Sequence, residues 1–116
     1  MATALPYDSL VTFIEAPTFT QMLPAYLDDE AYTALQWALT LHPEAGAVIP
    51  GGGGVRKMRW AGSGRGKRGG FRVIYYWRRH AGEIWMLAIY AKAKQQNAPA
   101  HILKALKEAI EHGQDD

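Results

Sequence analysis

Apolar and polar positions alternate in several stretches of the chain. LVTFIEA (Leu10–Ala16) is β-branched and aromatic with a period of two, which predicts a strand. Next comes TFTQMLPAYL, a short helix starting at Pro17 or Thr18 and kinked or ended by Pro24. A second helix opens at Asp28 or Asp29, both good N-caps. Its expected apolar stripe is Tyr32, Leu35, Leu39 and Leu41 with Trp37 and Ala38, and His42-Pro43 ends it. The two helices form an acidic hairpin. Pro43–Gly54 reads as a loop.

Three further strands are predicted: VRKMRWA (Val55–Ala61), GFRVIYYW (Gly70–Trp77) and EIWMLAIYAK (Glu83–Lys92). His80-Ala81-Gly82 makes the tight turn between the last two, and SGRGKRGG (Ser63–Gly70) the longer basic turn before them. Ala98–Gly113 reads as a final helix, with Asn97 as N-cap, Pro99 near its first position, an apolar stripe of Ile102, Leu103, Leu106 and Ile110, and Gly113 as C-cap. The order β-α-α-β-β-β-α keeps strands and helices apart, which predicts an α+β fold on an antiparallel sheet with an N-terminal helical hairpin and a C-terminal helix. At 116 residues, 48% of them apolar, the chain is one domain, 1–116. Residues 1–9 are expected to be a flexible lead-in without a readable role. A core of this size buries roughly two thirds of the unfolded surface.

Charge changes the picture. The net charge is only +2, yet residues 56–94 hold eleven of the thirteen Lys and Arg and a single acid, Glu83. Residues 1–44 hold six acids and no Lys or Arg. This segregation points to an anionic partner met by the middle of the chain. There is no Cys, so neither a disulfide framework nor a thiol-ligated metal is available. No signal peptide or membrane span is legible, and the cytosol is the expected compartment. The glycine run Gly51–Gly54 matches neither a P-loop nor a dinucleotide fingerprint.

Strand alternation puts Lys57 and Arg59 on one face, with Arg72, Ile74 and Tyr76 on the next strand. On the last strand, Met86, Ala88, Tyr90 and Lys92 are expected opposite in face to Trp85, Leu87, Ile89 and Ala91. A turn centred on Ala81 sets Arg72 opposite Tyr90, and the basic loop sets Arg59 beside Arg72. Lys57, Arg59, Arg72, Tyr90 and Lys92 are thus expected at one end of one face. Like charges side by side destabilise a sheet, and an anion among them relieves the repulsion. Phosphate suits the arginine fork. The aromatics Trp60, Phe71, Tyr75, Tyr76 and Trp77 are expected mainly in the core rather than as base-stacking platforms.

No His, Asp or Glu belongs to the cluster and no metal-ligand spacing is present, so no metal or other cofactor is expected. RNA brings its own nucleophile, the 2′-hydroxyl, and needs the protein only to orient it, move protons and stabilise the phosphorane. Arg59 and Arg72 suit charge stabilisation. A lysine crowded by cations has its pKa pushed down, which suits Lys57 or Lys92 to proton transfer. Tyr90 is expected in proton transfer or stacking.

GGVRKMR, GKRGGFRVIYY, the LAIYAK strand and the C-terminal helix together resemble the RelE/HigB-type toxins of bacterial toxin–antitoxin systems, and the HigB-like branch most. The likeness runs over nearly the whole chain, LHPEAG at the end of the second helix included. It implies a RelE-like microbial RNase fold and a metal-independent, ribosome-dependent endoribonuclease that cleaves mRNA in the A site. It also implies a HigA-like antitoxin, with operator DNA met only through that antitoxin and no membrane partner. The family's catalytic strand residues fall on Lys57, Arg59, Arg72, Tyr90 and Lys92. Arg56, Arg65, Lys67, Arg68 and Lys94 are expected to contact RNA. Well-known members carry Arg after the last-strand Lys, where this chain has Ala93, with Lys94 next to it. The alternative is a non-catalytic RNA- or ribosome-binding module of the same fold. A DNA-binding regulator ranks lower, because no recognition helix stands out.

Overall fold

A computed structural model describes residues 11–60, 70–91 and 100–113. The elements in chain order are β1 (Thr12–Glu15), α1 (Pro17–Tyr26), α2 (Asp29–Leu41), β2 (Ala47–Val48), β3 (Arg56–Trp60), β4 (Phe71–Arg78), β5 (Glu83–Ala91) and α3 (Ala100–Gly113). A single helical turn, Arg79–Ala81, joins β4 to β5 and closes on Gly82 in the left-handed region (φ 66°, ψ 34°). Among the described residues no helix is long and apolar enough to cross a membrane.

The helical hairpin forms for local reasons. Pro17 opens α1 where a missing N–H is harmless, and Pro24 is accommodated in its last turn, two residues before its end. Asp28 caps α2 by accepting from the Ala31 N–H at 2.8 Å, and Asp29 and Glu30 in the first turn suit the helix dipole. Glu15 ties the hairpin to β1: its carboxylate accepts from Thr20 Oγ1 at 2.6 Å and from the Tyr32 hydroxyl at 2.8 Å. The buried stripe of α2 is Ala31, Leu35 and Leu39. Trp37 and Leu41, expected on that stripe, are instead 46% and 54% exposed. They sit two positions from Leu35 and Leu39, about 200° around a 3.6-residue helix, which puts Trp37 opposite the buried stripe and Leu41 to its side.

The five strands run in the order β1-β5-β4-β3-β2. Two features differ from the expected all-antiparallel sheet. β1 pairs with β5 in parallel, Thr12 with Glu83 through Glu15 with Met86. A parallel pair needs a long crossover, and here α1, α2 and three strands provide it. Within Pro43–Gly54, expected as a loop, Ala47 and Val48 pair with Lys57 and Arg56. That short edge is held from within. The Tyr75 hydroxyl donates to the Pro43 carbonyl (2.7 Å) and accepts from the Gly46 N–H (2.9 Å). A Cβ at Gly46 would lie 2.9 Å from the Tyr75 ring, so only glycine fits there.

Each sheet face carries its own core. α1 and α2 cover Val73, Tyr75, Ile84, Met86 and Ile89 with Phe19, Leu27, Leu35 and Leu39. α3 brings Leu103 and Ile110 against Val55, Ile74, Tyr76, Leu87 and Tyr90. Ile102 and Leu106, expected to face inward, are 46% and 45% exposed. The helix includes Gly113, while the expected cap at Asn97 and Pro99 lies outside the described residues, as do residues 1–9.

The register of β4 on β5 matches the turn-centred expectation from Phe71↔Ala91 to Ile74↔Ala88, then shifts so that Tyr75 meets Met86. One extra residue on β5, Leu87, makes a β-bulge. The bulge corrects the expected faces of that strand. Met86 joins Ile89 under the helical hairpin, while Trp85 and Leu87 join Ala88 and Tyr90 on the α3 side.

A polar network pins the end of α3. Glu111 accepts from the Tyr76 hydroxyl and from Arg78 Nε at 3.0 Å. Arg78, 6% exposed, also meets Glu83 at 3.4 Å, and Trp85 Nε1 donates to the same Glu83 oxygen at 2.9 Å. His80 Nε2 lies 3.5 Å from Glu111. Burial and then the Glu111 carboxylate push the Tyr76 hydroxyl up to about 12 from 10.0. The hydrogen bond from Tyr76, followed by that from Arg78, holds Glu111 below its ordinary 4.5.

The depressed Glu111 stabilises the fold above pH 4.5 and loses that contribution as pH falls through its folded value. The raised Tyr76 contributes below pH 10 and loses it as pH climbs toward 12. Glu111→Gln should therefore lower the Tm by about 3–6 °C at pH 7. Thermal melts should show that gap closing as the pH falls below 4.5 and through the folded value of Glu111. Equal melting of the two proteins at pH 7 would show that the network does not hold α3.

Candidate active site

Three adjacent antiparallel strands build one rung: Arg59 on β3 lies opposite Arg72 on β4, and Arg72 lies opposite Tyr90 on β5. The next rung on the same face is Lys57, Ile74 and Ala88. Directly opposed Cα atoms in such ladders are about 4.5–5.5 Å apart, and diagonal neighbours about 7–8 Å. Lys57, Arg59 and Arg72 are thus within reach of one phosphodiester. Arg59 is exposed, and Lys57 and Arg72 are half-buried. This is the juxtaposition expected from the turn positions. The bulge at Leu87 lies between the turn and the rung: next to the turn Arg78 meets Glu83, one residue off the expected register, and the extra residue restores that register from Ile74↔Ala88 to Phe71↔Ala91.

The position of α3 decides what this face offers. Ala100 lies over Gly51, and Lys104 and Lys107 lie over Gly53; a Cβ at Gly53 would be 3.1 Å from Lys104 Cγ. Gly51, Gly53 and Gly54 have φ of 75°, 74° and 106°. The glycine run is therefore a seat for the helix and not a phosphate cradle. From there α3 runs to Tyr76 and Arg78, at the end of β4 next to the Arg79–Ala81 turn. It covers that half of the face. Arg59 and Arg72 lie at the opposite end, one residue from Trp60 and Phe71, where the described parts of β3 and β4 stop.

Tyr90 differs from the exposed, cation-surrounded group expected. It is 4% exposed and belongs to the cluster of Val55, Ile74, Tyr76, Leu87, Leu103 and Ile110. Burial raises its hydroxyl pKa, and the Arg72 guanidinium pulls it part of the way back. At neutral pH it is a protonated phenol, a hydrogen-bond donor and a packing platform rather than a base.

Arg56 is engaged within the fold. Its guanidinium donates to the carbonyls of Gly46 (2.7 Å) and Glu44 (3.3 Å) and fastens the β2 edge on the face away from Lys57 and Arg59. Of the aromatics, Tyr75 is fully buried and Tyr76 lies beneath α3, with Lys107 Nζ 5.9 Å from its ring centre. Phe71 meets Tyr26 edge to face at 5.0 Å. Trp60 and Trp77 face the helical hairpin. The expected core role holds for this set. Lys92, Arg65, Lys67, Arg68 and Lys94 lie outside the described residues. Among the described residues, no group of three His, Cys, Asp or Glu side chains is placed to hold a metal ion.

This mixed five-stranded sheet, with a helical hairpin on one face and a single helix on the other, is a RelE-like α+β fold. A solved structure with this architecture is the E. coli toxin RelE, determined in the free state as a double arginine-to-alanine mutant. It matches with a TM-score of 0.51 at 13% identity, over 89% of this chain and 97% of that one. No protein-family profile matches the chain.

Tyr90 packs as a core ring. Tyr90→Ala should therefore cost about 3 kcal/mol or more in urea unfolding. An unchanged unfolding midpoint in Tyr90→Ala would contradict the burial.

Proposed function

We propose that this protein is the toxin of a type II toxin–antitoxin pair, of the HigB-like branch, and acts in the cytosol as a ribosome-dependent endoribonuclease on mRNA in the A site. The observation that carries this reading is the rung of Arg59, Arg72 and Tyr90 with Lys57 beside it, on a RelE-like sheet. A like-charged rung next to a half-covered sheet face fits a polyanion, and the arginine forks fit phosphate oxygens.

In this reading the 2′-oxygen of the RNA attacks the adjacent phosphorus. Arg59 and Arg72 stabilise the extra negative charge of the phosphorane, the largest contribution to be expected from a site without metal. The P–O5′ bond breaks, leaving a 2′,3′-cyclic phosphate and a 5′-hydroxyl. One proton leaves the 2′-hydroxyl and one reaches the 5′-oxygen. Lys57 and Lys92 are the groups assigned to these transfers, and Tyr90 holds Arg72 in place from below. Arg65, Lys67, Arg68 and Lys94 are assigned to the RNA backbone. Arg56, engaged with the β2 edge, contributes positive potential rather than a direct contact. A HigA-like antitoxin is the assigned inhibitor, and through it the pair reaches its operator DNA.

Primer extension on a defined mRNA in a purified translation system tests this. Wild type should cut inside codons only when ribosomes are present, and Arg72→Ala should cut at least about 100-fold more slowly. Translation arrest without any cut would favour a non-catalytic ribosome-binding module of the same fold. No effect on translation would leave the likeness as one of fold alone.

A further inference from the structure

β1 is an edge strand. It pairs with β5, and among the described residues no strand lies on its other side. Thr12 and Ala16 donate their N–H groups to Gly82 and Met86 across that ladder. Backbone groups alternate between the two edges of a strand, so those of Phe13 and Glu15 turn outward. Beside this edge runs a groove of about 210 Å³ between β1 and α2, lined by Val11, Phe13, Thr33, Gln36, Trp37 and Thr40. No charged side chain lines it. Trp37, the largest of the exposed apolar residues, forms part of its wall.

The surroundings are of one sign. Residues 11–44 carry Glu15, Asp28, Asp29, Glu30 and Glu44 and no Lys or Arg. Glu15 is occupied by Thr20 and Tyr32, and Asp28 by the α2 cap. Asp29 and Glu30 are exposed, one turn before Thr33 on α2. They lie at the end of the groove where Tyr32 reaches Glu15.

We propose that this edge and groove receive an extended basic segment of a partner protein, which adds to β1 as a sixth strand. An apolar side chain of the segment packs on Trp37, and a Lys or Arg meets Asp29 and Glu30. Strand addition takes its affinity from main-chain hydrogen bonds and its selectivity from side-chain pockets and flanking charge, and this surface offers all three. A nucleic acid would be repelled by it. A second copy of the chain would bring its own Glu15, Asp29 and Glu30 against the same carboxylates. The surface lies on the sheet face opposite the cationic rung, so the inference does not rest on RNA cleavage.

Random decapeptides displayed on phage and selected on the immobilised full chain provide the test. Recovered sequences should alternate apolar with Lys or Arg. Synthetic copies should bind at least tenfold more weakly to Trp37→Ala and to Asp29→Lys/Glu30→Lys, in both of which circular dichroism should report an unchanged fold. N-methylation of alternate peptide amides should cost at least as much. No enrichment, acidic sequences, or equal binding to the variants or to the N-methylated copies would overturn the proposal. So would sedimentation showing a dimer of the chain alone that Trp37→Ala dissolves, since the edge would then belong to a second copy.

Discussion

Arg78 is the buried cation around which this side of the fold is arranged. A guanidinium that is 6% exposed must have its charge met where it lies. Glu83 on the neighbouring strand and Glu111 on α3 meet it, and Glu111 also receives the Tyr76 hydroxyl. Removing one partner of such a set strands a charge, which is costlier than any single contact in it suggests. The network therefore fixes the position of the C-terminal turn of α3, while the glycine seat at Gly51–Gly54 fixes its N-terminal half. Two anchors determine the line of a helix. That line crosses the sheet near the Arg79–Ala81 turn and reaches Ile74 and Tyr90 beside the cationic rung, while Arg59 stays exposed.

The bulge at Leu87 makes both arrangements possible on one strand. Without an extra residue, β5 would keep a strict alternation, and a strand that presents Tyr90 beside Arg72 would send Met86 to the same side and Trp85 away. With it, Tyr90 and Trp85 share the α3 face, one next to the cationic rung and one donating to Glu83. Ile84, Met86 and Ile89 fill the opposite core. A single inserted residue thus lets the strand serve a helix-docking network at one end and a cationic rung at the other.

This division explains which parts of the molecule were legible in the sequence. The Arg59–Arg72–Tyr90 rung followed from two turn positions and a period of two, because the extra residue at Leu87 offsets the one-residue difference in register next to the turn. The faces of Met86 and Leu87 did not follow, since no Gly or Pro in IWMLAIY marks the bulge and several of its side chains are apolar on both faces. Tyr76 and Glu111 stand 35 residues apart, so their bond depends on where α3 lands, which no local pattern encodes. The parallel pairing of β1 has the same origin: its partner is chosen by the end of a crossover some seventy residues long. Arg56 lies on the face away from Lys57 and Arg59, as alternation requires, but its bonds to the Gly46 and Glu44 carbonyls depend on where the β2 edge lands. Its neighbour on β4, Tyr75, serves the same loop from within the core.

The separation of charge between the two sheet faces has a consequence of its own. The carboxylates of the helical hairpin and the cations of the opposite face make the molecule a dipole, with a net charge of only +2. For a polyanion the cations set the approach, and the acids orient it by disfavouring the wrong side. A molecule with the same net charge spread evenly would be attracted weakly from every direction. In an encounter of the rung with any polyanion, the acidic face is turned away and costs little. It remains open, in that same orientation, to a basic polypeptide. The two surfaces are compatible in charge and separate in space.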